Sequence, residues 1–572
     1  LYLLLGNIFS SLPTFTDIGA RVNLISPIAS AFSVMFLYLI IVYLIEEYLG
    51  KVSTIYDAII IYGSSFTAAI TFSVTDAHWF NAVEAEVYSL STFFTAIVVW
   101  MILKWSNGNN WNIRYLLIII YMLGLAIGVH LLNLLALPFI GLIILFKKFN
   151  YSFKNFLLTI LLTIFSFILI YIGIIKGIPD LLHKINGNIF IILSIPIILI
   201  ISIFFLSLNQ SDKKIKIISH FLVSVSIGFI LLLILNPLFI KGTSQIETSI
   251  HNQIIDLQQS IDNDDKKIYQ MTLEIESNNS INQIELQQKV NTLINNRNDK
   301  VDIFKNLYEQ YFEFDNQKNS LTFIDLLKWQ SKINLLIIFI AIALAIFGFN
   351  KFFVSHFDIS SFLTKFIFSS LLLVLIGYST YILIFVRANQ SPRINENNPN
   401  TVDRALSYMN RDQYGDWEIL NFESTLARPE NTNWRRYTLD RNNPTFTEKM
   451  NFFFKYQVNE MYLRYFGWQF IGRGDKEEYP WYIQDIKGNL IGNQKLDGIN
   501  FFRYGLPLAF ILGILGLFAH FKHDSKRALA VLSLFLATGF LIILYLNQYD
   551  PQPRERDYSF VGSFFAYSIW IG

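Results

Sequence analysis

Residues 115–146 read YLLIIIYMLGLAIGVHLLNLLALPFIGLIILF. As one helix this run would extend roughly 48 Å at 1.5 Å per residue, against a hydrocarbon core of about 30 Å. Gly128, His130 and Asn133 fall in its middle, where a polar break costs least if it lies at a bilayer surface. A break there predicts two short helices meeting at that surface. An unbroken helix would invert the sidedness of everything upstream relative to everything downstream, so the reading of this stretch decides the topology.

Apolar runs of similar character recur along the chain. Further spans are expected at 22–45, 53–75, 87–103, 154–175, 188–208, 217–240, 331–350, 362–386, 501–520 and 528–546, with another opening at 559–572. The 572 residues are 53% hydrophobic and only 15% charged, with a mean hydropathy of +0.41. Soluble domains carry about 25% charged residues. The fold class expected is therefore an all-α integral membrane protein, a polytopic bundle of about 12–13 spans. A net charge of +2 argues against a nucleic-acid partner, and the absence of cysteine excludes disulfide and thiolate chemistry. No glycine-rich phosphate loop and no HExxH-like spacing occurs, so neither an ATP-driven pump nor a transition-metal site is expected. A divalent-metal requirement stays open.

Orientation follows from lysine and arginine in the short loops. With 46–52 taken as cytoplasmic, the inner loops hold Lys51, Lys104, Arg114, Lys147, Lys148, Lys154, Lys213, Lys214, Lys216, Lys351, Lys365, Lys522, Lys526 and Arg527. The outer short loops hold Lys176, Lys184, Arg554 and Arg556 alone. This places 76–86, 241–330, 387–500 and the opening stretch outside. The chain divides into transmembrane segments 1–146, 147–242, 331–386 and 501–572, interrupted by an extracytoplasmic helical hairpin at 243–330 and a loop domain at 387–500. Ile246, Ile250, Ile254, Leu257 and Ile261 mark one apolar face of the hairpin. Val301, Phe304, Leu307, Tyr308 and Tyr311 mark the returning one, with a break at Asn278–Ser280. A spacer or an envelope-partner docking role is expected of it.

Three outer clusters carry chemistry. NQYDPQPRERDYSFVGSFF, 547–565, sets Arg554 and Arg556 among Asp550, Glu555 and Asp557. Arginines on the side where they are rarer suit an anionic ligand; the alternative is a loop that neutralises itself. VTDAHWFNAVEAEVYSL, 74–90, carries Asp76, Glu84 and Glu86 without a nearby cation in sequence. A carboxylate so placed can act as a general base towards a hydroxyl. On a helix Glu84 and Glu86 would point about 200° apart, so only one would face a given atom. The alternative is that both are solvated first-turn residues of the next helix. In MYLRYFGWQFIGR, 461–473, Trp468 and Arg464 are candidates for the acceptor side, with headgroup anchoring of Arg464 and Arg473 as the plainer expectation. The outer carboxylates and the arginine pair, with His130 and Asn133 at an outer helix junction on the donor side, predict a site in which arginines hold the phosphate of a lipid-embedded donor and a carboxylate deprotonates the acceptor.

HWFNAVEAEVYSLSTFFTAIVVWMILKW (78–105), GLAIGVHLLNLLALP (124–138), MYLRYFGWQFIGR and DPQPRERDYSFVGSFFAYSIWIG (550–572) resemble the multipass bacterial family catalogued as domain of unknown function 2723. That family is similar to protein O-mannosyltransferases and is grouped with the GT-C glycosyltransferases. The resemblance implies a GT-C-like fold in the bacterial inner membrane. It also implies an extracytoplasmic site, a polyprenyl-phosphate sugar as donor and a protein Ser/Thr hydroxyl as acceptor. Glu84 and Glu86 match its acidic outer motif, His130 and Asn133 its GVHLLN segment, and Arg554 and Arg556 its RERD loop. The family's key acidic residue lies upstream of LYLLLGNIFSSL, so the chain is expected to be a fragment whose principal base precedes Leu1. Two other classes stay open: a transporter or flippase for a lipid-linked sugar, and an envelope scaffold. The first calls for paired midplane charges and repeated halves, neither of which is visible.

Overall fold

The computed structural model describes residues 1–13, 17–108, 112–184, 189–208, 212–239, 244–277, 283–320, 361–410, 434–440, 443–474, 497–550, 552 and 554–572. The protein is an all-α polytopic membrane protein. Among the described residues there is no strand, only an isolated antiparallel bridge between Arg473 and Ile499. The decisive stretch is broken as expected. A helix at Ile113–Ile127 ends at Gly128, a 3-10 turn covers Leu131–Ala136, and a second helix runs Leu137–Lys148 with Pro138 in its first turn. Proline there lacks only an N–H that would have no helical partner anyway.

Seven described helical stretches are long and apolar enough to cross a membrane: Ile18–Leu49, Ile55–Ser73, Val87–Asn107, Leu131–Lys148, Phe153–Pro179, Phe362–Ala388 and Ser525–Leu546. Ile113–Ile127, Ser194–Ser207 and Leu508–His523 are shorter apolar helices. The last was expected to begin at 501. Gly505, at φ +82°, and Pro507, as the helix N-cap, delay it. The span expected at 331–350 lies outside the described residues, as do Trp417 and Trp481 of the loop region.

The helices gather into two compact units. One comprises 1–168, 366–400 and 411–572. In it the long Ile25–Leu49 helix packs on Val87–Asn107 and on Ser64–Ser73, while Val561–Ile571 lies against Leu508–His523 and Ser525–Thr538. Small residues allow the close approaches. Ser26, Ala29, Ser30 and Ser33 form a buried stripe along one face, and Ser30 donates a hydrogen bond to Ser89 at 3.1 Å. Gly124 and Gly377 bring two helices into backbone contact. A Cβ on Gly377 would lie 2.6 Å from the Leu125 nitrogen, and one on Gly124 would lie 2.9 Å from the Val374 carbonyl oxygen.

The other unit comprises 169–365 and 401–410. Its apolar helices Ile189–Ser207 and Lys213–Phe239 pack together with Ser202 and Ser226 sharing a 3.0 Å hydrogen bond. The insertion is a helix pair, Ser244–Ser277 and Gln283–Ser320, meeting through buried Ile254 and Val290. Val301, Phe304 and Leu307 are half-buried, but Tyr308 is exposed, and the side chain of Tyr311 lies outside the described residues. Lys300 reaches back to Asp264 at 2.6 Å and Arg297 to Asp265 at 3.0 Å, tying the two helices side by side.

Candidate functional site

In the first unit the two ends of the helices differ in character. At one end Lys147 donates to the carbonyls of Trp105 (2.6 Å) and Gly108 (2.9 Å), capping the Val87–Asn107 helix. There too Arg527 joins Asp524 (2.6 Å) to Glu47 (2.8 Å). At the other end lie the start of the Val87–Asn107 helix, the break at 128–130, and the entry into Val561–Ile571. The acidic segment, the His130–Asn133 turn and the arginine loop therefore share one end. They are joined there by ring contacts: Tyr88 lies 5.3 Å from His130 and 4.7 Å from Tyr558, centroid to centroid.

The arginine loop does not neutralise itself. Asp550 is buried and accepts from Arg436 Nη1 and from the Tyr437 hydroxyl, both at 2.8 Å, and Arg436 Nη2 donates to Glu460 at 2.5 Å. Glu555 receives both terminal nitrogens of Arg464, at 3.1 and 2.7 Å, and the Tyr465 hydroxyl at 2.5 Å. That hydroxyl also accepts from the Arg556 backbone N–H at 3.1 Å. Gln457 donates to the Gln548 carbonyl and Tyr456 to the Tyr549 carbonyl. The Trp434–Arg436 turn with Tyr437 and the helical segment at 446–470 thus stitch down the loop and remove two of its three carboxylates from competition. Among the described residues, neither Arg554 nor Arg556 has a carboxylate within ion-pair distance. Arg554 is exposed and lies over the Tyr558 ring at 4.9 Å, and Arg556 Nε is buried without a partner. Tyr558, Tyr88 and Glu86, in that order of effect, hold the Arg554 guanidinium above its ordinary pKa, so it carries its charge at any working pH.

Arg464 and Trp468 are corrected by the structure. Both are buried, with Arg464 only 1% exposed, so neither anchors a headgroup nor meets an acceptor directly. The guanidinium is tolerated there because Glu555, the Glu460 carbonyl (2.9 Å) and the Asp497 carbonyl (2.9 Å) satisfy it. The Trp468 N–H is spent on the Gly498 carbonyl at 2.8 Å, and its ring lies between the Arg464 and Arg473 guanidinium groups at 4.7 and 4.1 Å. Most of the 461–473 segment is core rather than an interfacial helix: its Arg464 meets Glu555, 91 positions away in sequence, a pairing that exists only in the folded chain.

The carboxylate segment differs from the expectation in detail. Asp76 opens a short helix, Asp76–Val83, but Glu84 to Glu86 form a turn, with the Glu86 N–H donating to the Glu84 carbonyl at 2.8 Å. The 200° helical separation therefore does not apply. Glu84 is exposed; Glu86 is half-buried as the N-cap of Val87–Asn107, close enough to Arg554 and Tyr88 to shift both. Asp76 faces Arg473 Nη1 at 3.6 Å, and Arg473 is held chiefly by Asp497 at 2.6 Å.

His130 caps the 3-10 turn through Nδ1, which accepts from the Leu132 N–H at 3.2 Å. Asn133 is buried; it accepts from Ser91 and Thr95 at 3.2 Å and donates to the Ala126 and His130 carbonyls. With all those bonds made inside the fold, Asn133 braces the break rather than offering itself to a ligand. Two participants were not singled out from the sequence: Arg436 and Tyr88. Among the described residues no cluster of side chains has a metal-binding arrangement.

Residues 1–153 match the family described as Protein O-mannosyl-transferase TMEM260 N-terminal domain. The match takes in Asp76, Glu84, Glu86, His130 and Asn133, while the arginine loop and the segment that braces it lie beyond it. No curated protein and no solved structure matches the chain at a significant level.

Proposed function

We propose that this protein is a membrane glycosyltransferase that moves a sugar from a polyprenyl-phosphate donor to a hydroxyl of a protein Ser or Thr, on the extracytoplasmic face. One observation carries the reading. Arg436 and Arg464 take up Asp550 and Glu555, leaving Arg554 and Arg556 as two charged guanidinium groups without carboxylate partners among the described residues, at the same helix end as Glu86, Tyr88 and His130. The O-mannosyltransferase resemblance of residues 1–153 and the excess of lysine and arginine at the opposite loops support the same conclusion.

In the reaction the guanidinium groups bind the donor phosphate and take up the charge that grows on it as the sugar leaves. A carboxylate of the cluster, with Asp76, Glu84 and Glu86 the candidates from the sequence, accepts the proton of the attacking hydroxyl. The aromatic group of Tyr88, Tyr558 and His130 provides flat faces of the kind that suit a sugar ring or an isoprenyl chain.

The test is Arg554→Ala with Arg556→Ala, made in the full-length protein and assayed in membranes with labelled polyprenyl-phosphate mannose. Insertion should be normal and transfer lost. Transfer at the wild-type rate would remove the phosphate role and the reading that depends on it.

A further inference from the structure

The span expected from residue 501 starts only at Leu508, which leaves the apolar stretch NFFRYGLP, 500–507, ahead of the helix. Its side chains do not turn inward. Phe501, Phe502, Tyr504 and Leu506 are all exposed, Phe502 and Tyr504 to 78% and 77%. Four large apolar or aromatic residues within six positions are of the kind that mark a contact with protein or membrane. The backbone beneath them is held in place. The Asn500 N–H donates to the Gly472 carbonyl at 3.0 Å, and the Phe502 N–H to Asn500 Oδ1 at 3.0 Å. The Gly505 N–H donates to the Phe502 carbonyl at 3.2 Å, and the Arg503 guanidinium to the Arg473 carbonyl.

The helix that follows identifies the partner. Leu508, Ile511, Leu512, Leu515 and Phe518 are exposed along one helical stripe, whereas Gly513, on the far side, packs against Tyr567. In a polytopic membrane protein such a stripe meets hydrocarbon. At 16 residues the helix is roughly 24 Å long, short of the hydrocarbon core of about 30 Å, and its last turn carries His520, Lys522 and His523. The apolar length that the helix lacks is present in the stretch immediately before it. Tyr504, with an apolar ring and a polar hydroxyl, suits the boundary between hydrocarbon and headgroups. The His523 end lies against Tyr48, ring centroids 4.4 Å apart, where Arg527 joins Glu47. Leu508 therefore stands at the opposite end, that of the arginine loop.

We infer that Phe501, Phe502, Tyr504 and Leu506 are a membrane anchor seated in the bilayer leaflet on the arginine-loop side, with lipid as their partner, and that the anchor sets the depth of the arginine loop. Arg464 makes the connection. It donates to the Asp497 carbonyl at 2.9 Å, at the foot of the anchor, and to Glu555 at 2.7 Å, inside the arginine loop. Trp468 fastens the same foot through the Gly498 carbonyl at 2.8 Å. Seating the aromatic stretch in lipid thus holds Arg554 and Arg556 at a fixed level relative to the headgroups. The anchor itself does not depend on the transferase reading. Its depth bears on that reading because a lipid-linked donor presents its phosphate at the headgroup level.

Residues 1–572 contain no cysteine, so a thiol label reaches only the position chosen for it. Phe502→Cys and Leu506→Cys, with Phe518→Cys as a reference inside the helix, are made in the full-length protein, any cysteine beyond these residues being replaced by serine. Each is labelled with an environment-sensitive fluorophore and reconstituted in phosphatidylcholine vesicles whose lipids carry a nitroxide either near the headgroup end of the acyl chain or near its middle. All three labels should emit to the blue of the same label in water. F502C and L506C should lose emission mainly to the nitroxide near the headgroups, and F518C mainly to the one at mid-chain. Water-like emission at both Phe502 and Leu506 overturns the anchor. Blue-shifted emission that neither nitroxide quenches overturns it too, because protein, such as a second copy of the chain, then covers the stretch.

The depth is tested by the triple variant Phe501→Ser, Phe502→Ser and Tyr504→Ser. It should lose affinity for polyprenyl phosphate embedded in nanodiscs and keep its affinity for a short, water-soluble prenyl phosphate, since the arginines are intact and only their level has moved. Unchanged affinity for both ligands overturns the depth role. An equal loss for both also overturns it, because the arginine loop itself has then been disturbed. A wild-type protein that binds neither phosphate overturns the transferase reading, while the fluorescence still decides the anchor.

Discussion

Removing Arg464 should disable the proposed donor site indirectly, through the carboxylate it restrains. In Arg464→Met the Glu555 side chain loses a two-pronged partner and lies beside two arginines that have none. A carboxylate about 4 Å from a guanidinium at an effective dielectric of about 20 is attracted by about 4 kcal/mol. Glu555 is 31% exposed, so solvent screening reduces this to about 2 kcal/mol. A donor phosphate competing against that attraction binds about 30-fold more weakly. The substitution also removes donors from the Glu460 and Asp497 carbonyls, at about 1 kcal/mol each in stability. The assay is polyprenyl-phosphate binding to the full-length protein in nanodiscs, corrected for the folded fraction. The decisive arm is the double variant Arg464→Met with Glu555→Gln, in which no charge is left to compete and donor affinity should recover to within about threefold of wild type. If the double variant binds as weakly as the single one, Arg464 supports the fold generally and the reasoning about liberated arginines fails.

Two further outcomes concern the scaffold. Gly377→Val puts a side chain into the backbone of the facing helix, 2.6 Å from the Leu125 nitrogen, which neither chain can yield. The folded yield of that variant in membranes should collapse, whereas Gly63→Ala, with open space at its Cβ, should express normally. His78 is buried, and burial lowers its pKa to about 4. The unfolded histidine binds its proton near 6.5, so stability falls as pH drops from about 6.5 towards 4, by up to about 1.4 kcal/mol per pH unit. Melting curves of His78→Leu should lack that acid-side decline.

Several features of this protein were legible in the residues alone. The break in 115–146 follows from length, since a mostly apolar run of 32 residues exceeds what a bilayer accepts and Gly128, His130 and Asn133 mark where the chain can turn. The helix pair on either side of 278–282 follows from apolar residues at three- and four-residue spacing, with the first helix ending at Ser277 and the second beginning at Gln283. The meeting of the acidic segment with the arginine loop was anticipated from loop parity, which brings segments to one surface without saying what they touch there. Parity failed to distinguish two kinds of arginine: Arg464 looked like a headgroup anchor and is core, whereas Arg556, inside the charged run 554–557, keeps an unpartnered nitrogen.

Hydropathy along the chain sufficed for the class and for most of the described apolar helices, because run length and composition are local properties that a bilayer reads directly. Only the folded structure decided which charges cancel. Asp550 finds Arg436 across 114 positions and Glu555 finds Arg464 across 91. The energy of an ion pair depends on distance and burial in space, neither of which is written in the spacing of residues.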